Sequence, residues 1–227
     1  AACLADFGIK KGDAVAILLP NMIPCVVAYY AILKIGAITV MNNPLYSDPE
    51  LEHQFNDSGA QALITLDVLG NRMIDLRPRT KIKQIIYTCI GDDLPAVKRI
   101  LGKWLKKYPF GKVKAAPDVY KWQDCLAKHG LHPPAVKLSF EEVAMYQYTG
   151  GTTGISKGVM LTHANLSKQV QQIEAWFPKF VNGGEIILGA LPYFHVFGLS
   201  LVMNYAIYKG WVQVLVPRPQ PQSLLEA

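Results

Sequence analysis

Residues 146 to 157 read Tyr146-Gln147-Tyr148-Thr149-Gly150-Gly151-Thr152-Thr153-Gly154-Ile155-Ser156-Lys157, an apolar strand pattern that runs into a loop of glycines and threonines closed by a lysine. Glycine admits backbone conformations closed to other residues and lets amide N–H groups approach a ligand. The hydroxyls of Thr149, Thr152 and Thr153 and the ammonium of Lys157 add polar contacts, and the set suits a polyphosphate. It is not a P-loop, because Ser156 precedes Lys157 and Gly158 follows it. Adjacent Gly150 and Gly151 break the dinucleotide fingerprint as well. A loop of this composition alone reads as a turn; its length, its lysine and its strand-to-strand setting favour a ligand.

Other chemistry-bearing residues are fewer. His195 lies in the apolar run Leu191-Pro192-Tyr193-Phe194-His195-Val196-Phe197-Gly198-Leu199, where a hydrogen-bonded core histidine and a substrate contact are both open. Asn42, Asn43 and Tyr46 around Pro44 read as turn residues. Cys3, Cys25, Cys89 and Cys125 are far apart with no CxxC pair and no histidine cluster, which predicts reduced thiols in a cytosolic protein and no metal site.

The elements that must hold these residues alternate. Ala14 to Leu19, Ile38 to Met41, Ala62 to Leu66 and Gln84 to Cys89 read as strands, and Pro24 to Ile35 as a helix ended by Gly36. Ser47 with Glu50 predicts a capping box, and Pro49 fits the first turn of that helix. The pattern predicts an α/β fold with a parallel-rich open sheet flanked by helices. Val143 to Tyr148 and Gly158 to Leu161 would make the glycine loop the tip of a wide β-hairpin. Thr162 is expected to cap a helix to about Phe177, and a strand at 186–191, a helix at 197–208 and a strand at 211–216 complete the reading. Residues 1–101 read as a first α/β subdomain, 102–138 as a basic, proline-containing connection outside the core, and 139–227 as part of a second subdomain.

A composition 51% hydrophobic and 18% charged is globular. The most apolar stretches are interrupted by Pro24 and Lys34, and by Pro192 and His195, short of a membrane span. The net charge of +6 is concentrated: Lys98, Arg99, Lys103, Lys106, Lys107, Lys112 and Lys114 occur with no acid among them. Val97, Ile100, Leu101, Trp104 and Leu105 form one helical stripe there. The expected arrangement is a helix packed on the core with its cations in solvent; the other is contact with an anionic membrane. The run lacks interleaved aromatics and any binding motif for nucleic acid.

The loop resembles the phosphate-binding signature of the acyl-adenylate-forming enzymes, a superfamily of acyl-CoA synthetases, luciferases and adenylation domains. With Lys157-Gly158-Val159-Met160-Leu161-Thr162-His163-Ala164-Asn165-Leu166 it is similar to bacterial long-chain fatty-acid CoA ligases. So are Asn42-Asn43-Pro44-Leu45-Tyr46-Ser47 with the segments 50–54 and 56–60, and the Pro192-x-x-His195 motif. The resemblance spans roughly the whole chain and implies a piece of the large amino-terminal domain of an enzyme about twice as long. It implies activation of a fatty acid by ATP to acyl-AMP, with Mg²⁺, and transfer to CoA. Thr149, Gly150, Gly151, Thr152, Thr153, Gly154 and Lys157 would hold ATP, Lys157 would neutralise the leaving pyrophosphate, and His195, Phe197, Gly198 and Leu199 would meet the acyl substrate. Gly150 and Ser156 stand where serine and proline are common in the superfamily. A peptide-synthetase adenylation domain would carry aspartate in place of His195. A fatty-acyl-AMP ligase, a non-catalytic module binding ATP or a membrane, a homodimer, and peripheral placement at the inner membrane face are left open.

Overall fold

Apolar runs without alternation belong to strands covered on both faces. Ala14–Leu18 (β1), Ile38–Met41 (β2) and Ala62–Leu66 (β3) are buried at every position. A computed structural model describes residues 1–105, 107–130, 132–150 and 154–225; Gly151, Thr152 and Thr153 of the loop and Lys106 of the basic run lie outside the described residues. Further strands are Gln84–Thr88 (β4), Val119–Lys121 (β5), Val143–Thr149 (β6), Lys157–Thr162 (β7), Ile186–Gly189 (β8) and Val212–Leu215 (β9). Among the described residues β5-β4-β3-β1-β2-β6-β7 make one sheet, parallel throughout except for the antiparallel pair β6–β7, and β8–β9 make a separate parallel pair.

Helices fill the connections: Ala2–Asp6 (α1), Ile23–Lys34 (α2), Asp48–Ser58 (α3), Asp67–Leu76 (α4), Ala96–Trp104 (α5), Trp122–Lys128 (α6), His163–Trp176 (α7), Tyr205–Lys209 (α8) and Pro221–Leu225 (α9). Successive residues of a strand face opposite sides, and β1 shows the consequence. Val15 and Ile17 join one core with α2, α6, Tyr193, Leu199 and Met203, while Ala14, Ala16 and Leu18 join another with Leu51 and Phe55 of α3 and Met73 of α4. A third cluster, Val170, Ile173, Tyr205, Ala206 and Trp211, sits on α7 and α8 beside the small sheet. The fold is thus the expected α/β arrangement with the glycine loop in a hairpin. No helix among the described residues is long and apolar enough to cross a membrane.

Three local expectations need correction. The stretch 102–138 is partly core: β5 extends the sheet beside β4, and Trp122 and Cys125 of α6 are buried. Its prolines flank these short elements instead of interrupting them, so composition hid them. The strand predicted to Leu191 stops at Gly189, and the helix predicted from Phe197 contains a wide-turn segment, Gly198–Asn204, with i→i+5 character ahead of α8. Helix α5 is not packed on the core, since its whole apolar stripe is exposed and only Gly102 is buried.

Candidate active site

The hairpin β6–β7 sets Thr149 directly opposite Lys157, so a hydroxyl and an ammonium flank the mouth of the glycine loop. Both residues are exposed, and Lys157 forms no ion pair among the described residues. A Cβ added at Gly150 or Gly154 would meet nothing within 4 Å, so the described ends of the loop stand clear of the protein body. Gly154 holds φ +108°, a left-handed conformation that strains any other residue. Gly158 differs: a Cβ there would lie 3.1 Å from the ring of Tyr148 across the hairpin.

Helix α3 braces the returning side of the loop. His53 donates from Nε2 to the Ser156 carbonyl at 2.9 Å, and the Tyr148 hydroxyl donates to Asp57 Oδ2 at 2.6 Å. Burial and that carboxylate push the Tyr148 hydroxyl above its ordinary pKa, which keeps it a donor. Asn42, fully buried at the end of β2, donates to Gln54 Oε1 at 2.6 Å and ties the helix to the sheet. The helix begins where sequence predicts, at a Ser47–Glu50 capping box with Pro49 in the first turn, and ends at Gly59 with φ +67°. Asn43 and Tyr46 do serve a turn: Asn43 Oδ1 accepts from Leu45 N, and Tyr46 N donates to the Asn43 carbonyl.

The Pro192–His195 segment is a turn fixed from two strands. Asn21, buried at the end of β1, donates from Nδ2 to the carbonyls of Gly189 and Leu191 at 2.8 and 2.7 Å, and its Oδ1 accepts from Tyr193 N at 2.8 Å. Gln147 of β6 donates to the Phe194 carbonyl at 3.0 Å, which binds this turn to the strand that feeds the glycine loop. His195 itself is exposed, contrary to the core reading of its apolar surroundings. Its Nδ1 accepts from Phe197 N at 3.3 Å, so in the neutral ring the proton resides on Nε2. Gly198 is required for close approach, because a Cβ there would fall against the Leu191 carbonyl oxygen at 2.8 Å and nearer still to that of Pro192.

The sequence-named residues therefore divide. Thr149, Gly150, Gly154 and Lys157 share the hairpin end, and His195 and the exposed Phe197 stand on the turn bonded to its strand. Gly198 and Leu199 are buried, and Leu199, like Tyr193 and Met203, points into the core. Between the hairpin, α7 and the segment after His195 lies a cleft of about 670 Å³, walled by Met160, Leu166 and Ile173 on one side and Val196, Phe197 and Leu201 on the other. Asn165, Lys168, Gln169, Gln172 and Ser200 add polar groups to its lining, and β7 contributes both Lys157 and Met160, so loop and cleft share a strand. Among the described residues no cluster of three histidine, cysteine or carboxylate side chains is placed to hold a metal ion. Asn21, His53, Asp57 and Gln147 escaped sequence reading. The accessible signal was a polar side chain at the end of a buried strand, as at Pro20-Asn21, or inside one, as at Gln147.

Comparison with known proteins agrees with this geometry. A family model described as "AMP-binding enzyme" matches residues 1–227. The long-chain-fatty-acid–CoA ligase of Bacillus subtilis is 38% identical over 232 residues, covering 100% of this chain and 41% of that protein. The Salmonella typhimurium enzyme of the same name is 37% identical over 218 residues, covering 94% and 39%. A solved long-chain-fatty-acid–CoA ligase from Archaeoglobus fulgidus superimposes with a TM-score of 0.78 at 26% identity, covering 99% of this chain and 39% of that one. The chain spans about two fifths of the length of the curated relatives it matches. With a family match along its full length and the β6–β7 hairpin in place, the chain belongs to the AMP-binding enzymes.

Proposed function

We propose that the chain serves the ATP-dependent activation of a fatty acid to acyl-AMP, with transfer of the acyl group to CoA. The observation that carries this reading is the hairpin: Thr149 opposite Lys157, with Gly150 and Gly154 at the described ends of the glycine loop clear of the protein body, and β6 joined through Gln147 to the turn of His195. A carboxylate is a poor acyl donor because its leaving group is oxide. In the first step a carboxylate oxygen attacks the α-phosphorus of ATP, the bond to the bridging oxygen breaks, and pyrophosphate departs. In the second a thiol displaces AMP and forms a thioester. Charge grows on pyrophosphate in the first transition state, where fixed donors outweigh any protein nucleophile.

Thr149, Thr152 and Thr153, with the N–H groups of Gly150, Gly151 and Gly154, hold the phosphates, and Lys157 meets the departing pyrophosphate as a point cation. Nε2–H of His195 is available to the substrate carboxylate. Phe197 and the cleft beyond it take the acyl chain, each buried CH₂ contributing about 0.8 kcal/mol. Gly198 and Leu199 act from behind, one by admitting the tight turn and the other by anchoring it in the core. Among the described residues no three histidine, cysteine or carboxylate side chains cluster, and no residue is assigned to Mg²⁺ or to CoA.

The test is incubation of the natural-length protein with ATP, Mg²⁺, CoA and either palmitate, decanoate or 4-coumarate, following pyrophosphate and thioester. The expected result is pyrophosphate release matched by fatty acyl-CoA. Acyl-AMP without thioester would place a carrier protein in the role of CoA, and turnover of 4-coumarate alone would contradict the fatty-acid assignment.

A further inference from the structure

We propose that helix α5 is a docking surface for an anionic lipid bilayer, with Val97, Ile100, Leu101, Trp104 and Leu105 entering the acyl region and Lys98, Lys103 and Lys107 meeting headgroup phosphates. This goes beyond the enzymatic reading and does not depend on it. At about 100° per residue, the five apolar side chains fall on one face of the helix. The opposite face is the one fastened to the protein. Gly102 is the buried residue of the helix, and a Cβ at Gly102 or Gly91 would run into the ring of Tyr108. The Tyr108 hydroxyl donates to the Arg99 carbonyl at 2.7 Å, and Lys107 N donates to the Gly102 carbonyl at 2.8 Å. A tyrosine plug thus holds the helix by its glycine and turns the stripe outward, leaving Val97 and Trp104 each 77% exposed.

Charge selects the occupant. From Lys98 to Lys114 there are seven cations and no carboxylate in the sequence. Among the described residues Lys114 pairs with Asp75, while Lys98, Arg99, Lys103 and Lys107 make no ion pair and are exposed. Lys103 lies 4.7 Å over the ring of Phe110, itself exposed next to the stripe. Of the two acids just before the helix, Asp92 accepts from Thr88 Oγ1 and Cys89 N, and Asp93 is exposed, one carboxylate against the cations that follow. An apolar stripe bordered by unpaired cations matches an interface of acyl chains beneath negative headgroups.

The natural-length protein is sedimented with vesicles of phosphatidylcholine, with and without phosphatidylglycerol, at low and high salt. The expected result is binding to the anionic vesicles, weakened by salt, with a blue shift of fluorescence that Trp104→Phe removes. Each cation contributes about fivefold to partitioning, so Lys98→Glu/Lys103→Glu/Lys107→Glu should lower it by at least roughly a hundredfold. Ile100→Ser/Trp104→Ser should abolish the insertion signal. Both variants should keep the parental melting temperature, since the altered side chains are exposed. Failure of the parent to bind, or equal binding by both variants, overturns the proposal. So does a parental dimer that Ile100→Ser/Trp104→Ser dissociates, because the stripe would then belong to an interface between copies.

Discussion

Every polar atom of the Asn21 amide is committed to the turn ahead of His195, and its partners are 168, 170 and 172 residues away. Asn21→Ala would leave the Leu191 carbonyl and the Tyr193 N–H without their partner, while the Gly189 carbonyl keeps Val216 N, a cost of roughly 1–3 kcal/mol in all. Urea denaturation should register it. If the turn orients the substrate carboxylate, the same variant should raise the KM for fatty acid more than that for ATP. Equal changes in the two would reduce Asn21 to a scaffold role. Sequence could not reveal this, because an asparagine after a strand is ordinary turn chemistry and its partners are set by topology. The position of Lys157, in contrast, follows from the hairpin pattern in the sequence: it is exposed opposite Thr149.

Elements were readable where one local cause decides them. The strands at 38–41 and 62–66 match their apolar runs residue for residue, and α3 obeys its capping box and terminal glycine. Elements set by distant contacts were not. The segment after His195 reads as a plain helix, yet Gly198 must pass against the Pro192 carbonyl, and the helix accommodates this with wide turns through Asn204. Gly198→Ala should therefore cost roughly 1–3 kcal/mol of stability, as overpacking does. It should also displace His195, lowering fatty-acid-dependent turnover while ATP binding, measured by isothermal titration, stays near parental. A fully active variant would mean that the turn is more compliant than its contacts indicate. Helix α5 failed in another way: an amphipathic pattern shows that a helix has an apolar face but not which way it turns, and Tyr108 turned this one outward.

At the scale of the molecule, parallel alternation in the sequence gives the class of the fold, whereas the strand order β5-β4-β3-β1-β2-β6-β7 depends on crossovers that periodicity does not encode. That order puts the hairpin at one edge of the sheet with α3 and the His195 turn bracing its strands. The basic excursion joins at the other edge through β5, so the proposed chemistry and the proposed lipid contact approach the sheet from different strands. The central claim is that the hairpin binds the phosphates of ATP for adenylate formation. Exchange of labelled pyrophosphate into ATP, dependent on fatty acid and measured on the natural-length protein and its Lys157→Ala variant, addresses it without involving CoA. One lost transition-state donor is worth roughly 3 kcal/mol, so the variant should exchange on the order of a hundredfold more slowly with an unchanged thermal melt. Parental exchange by Lys157→Ala, or exchange indifferent to fatty acid, would contradict it.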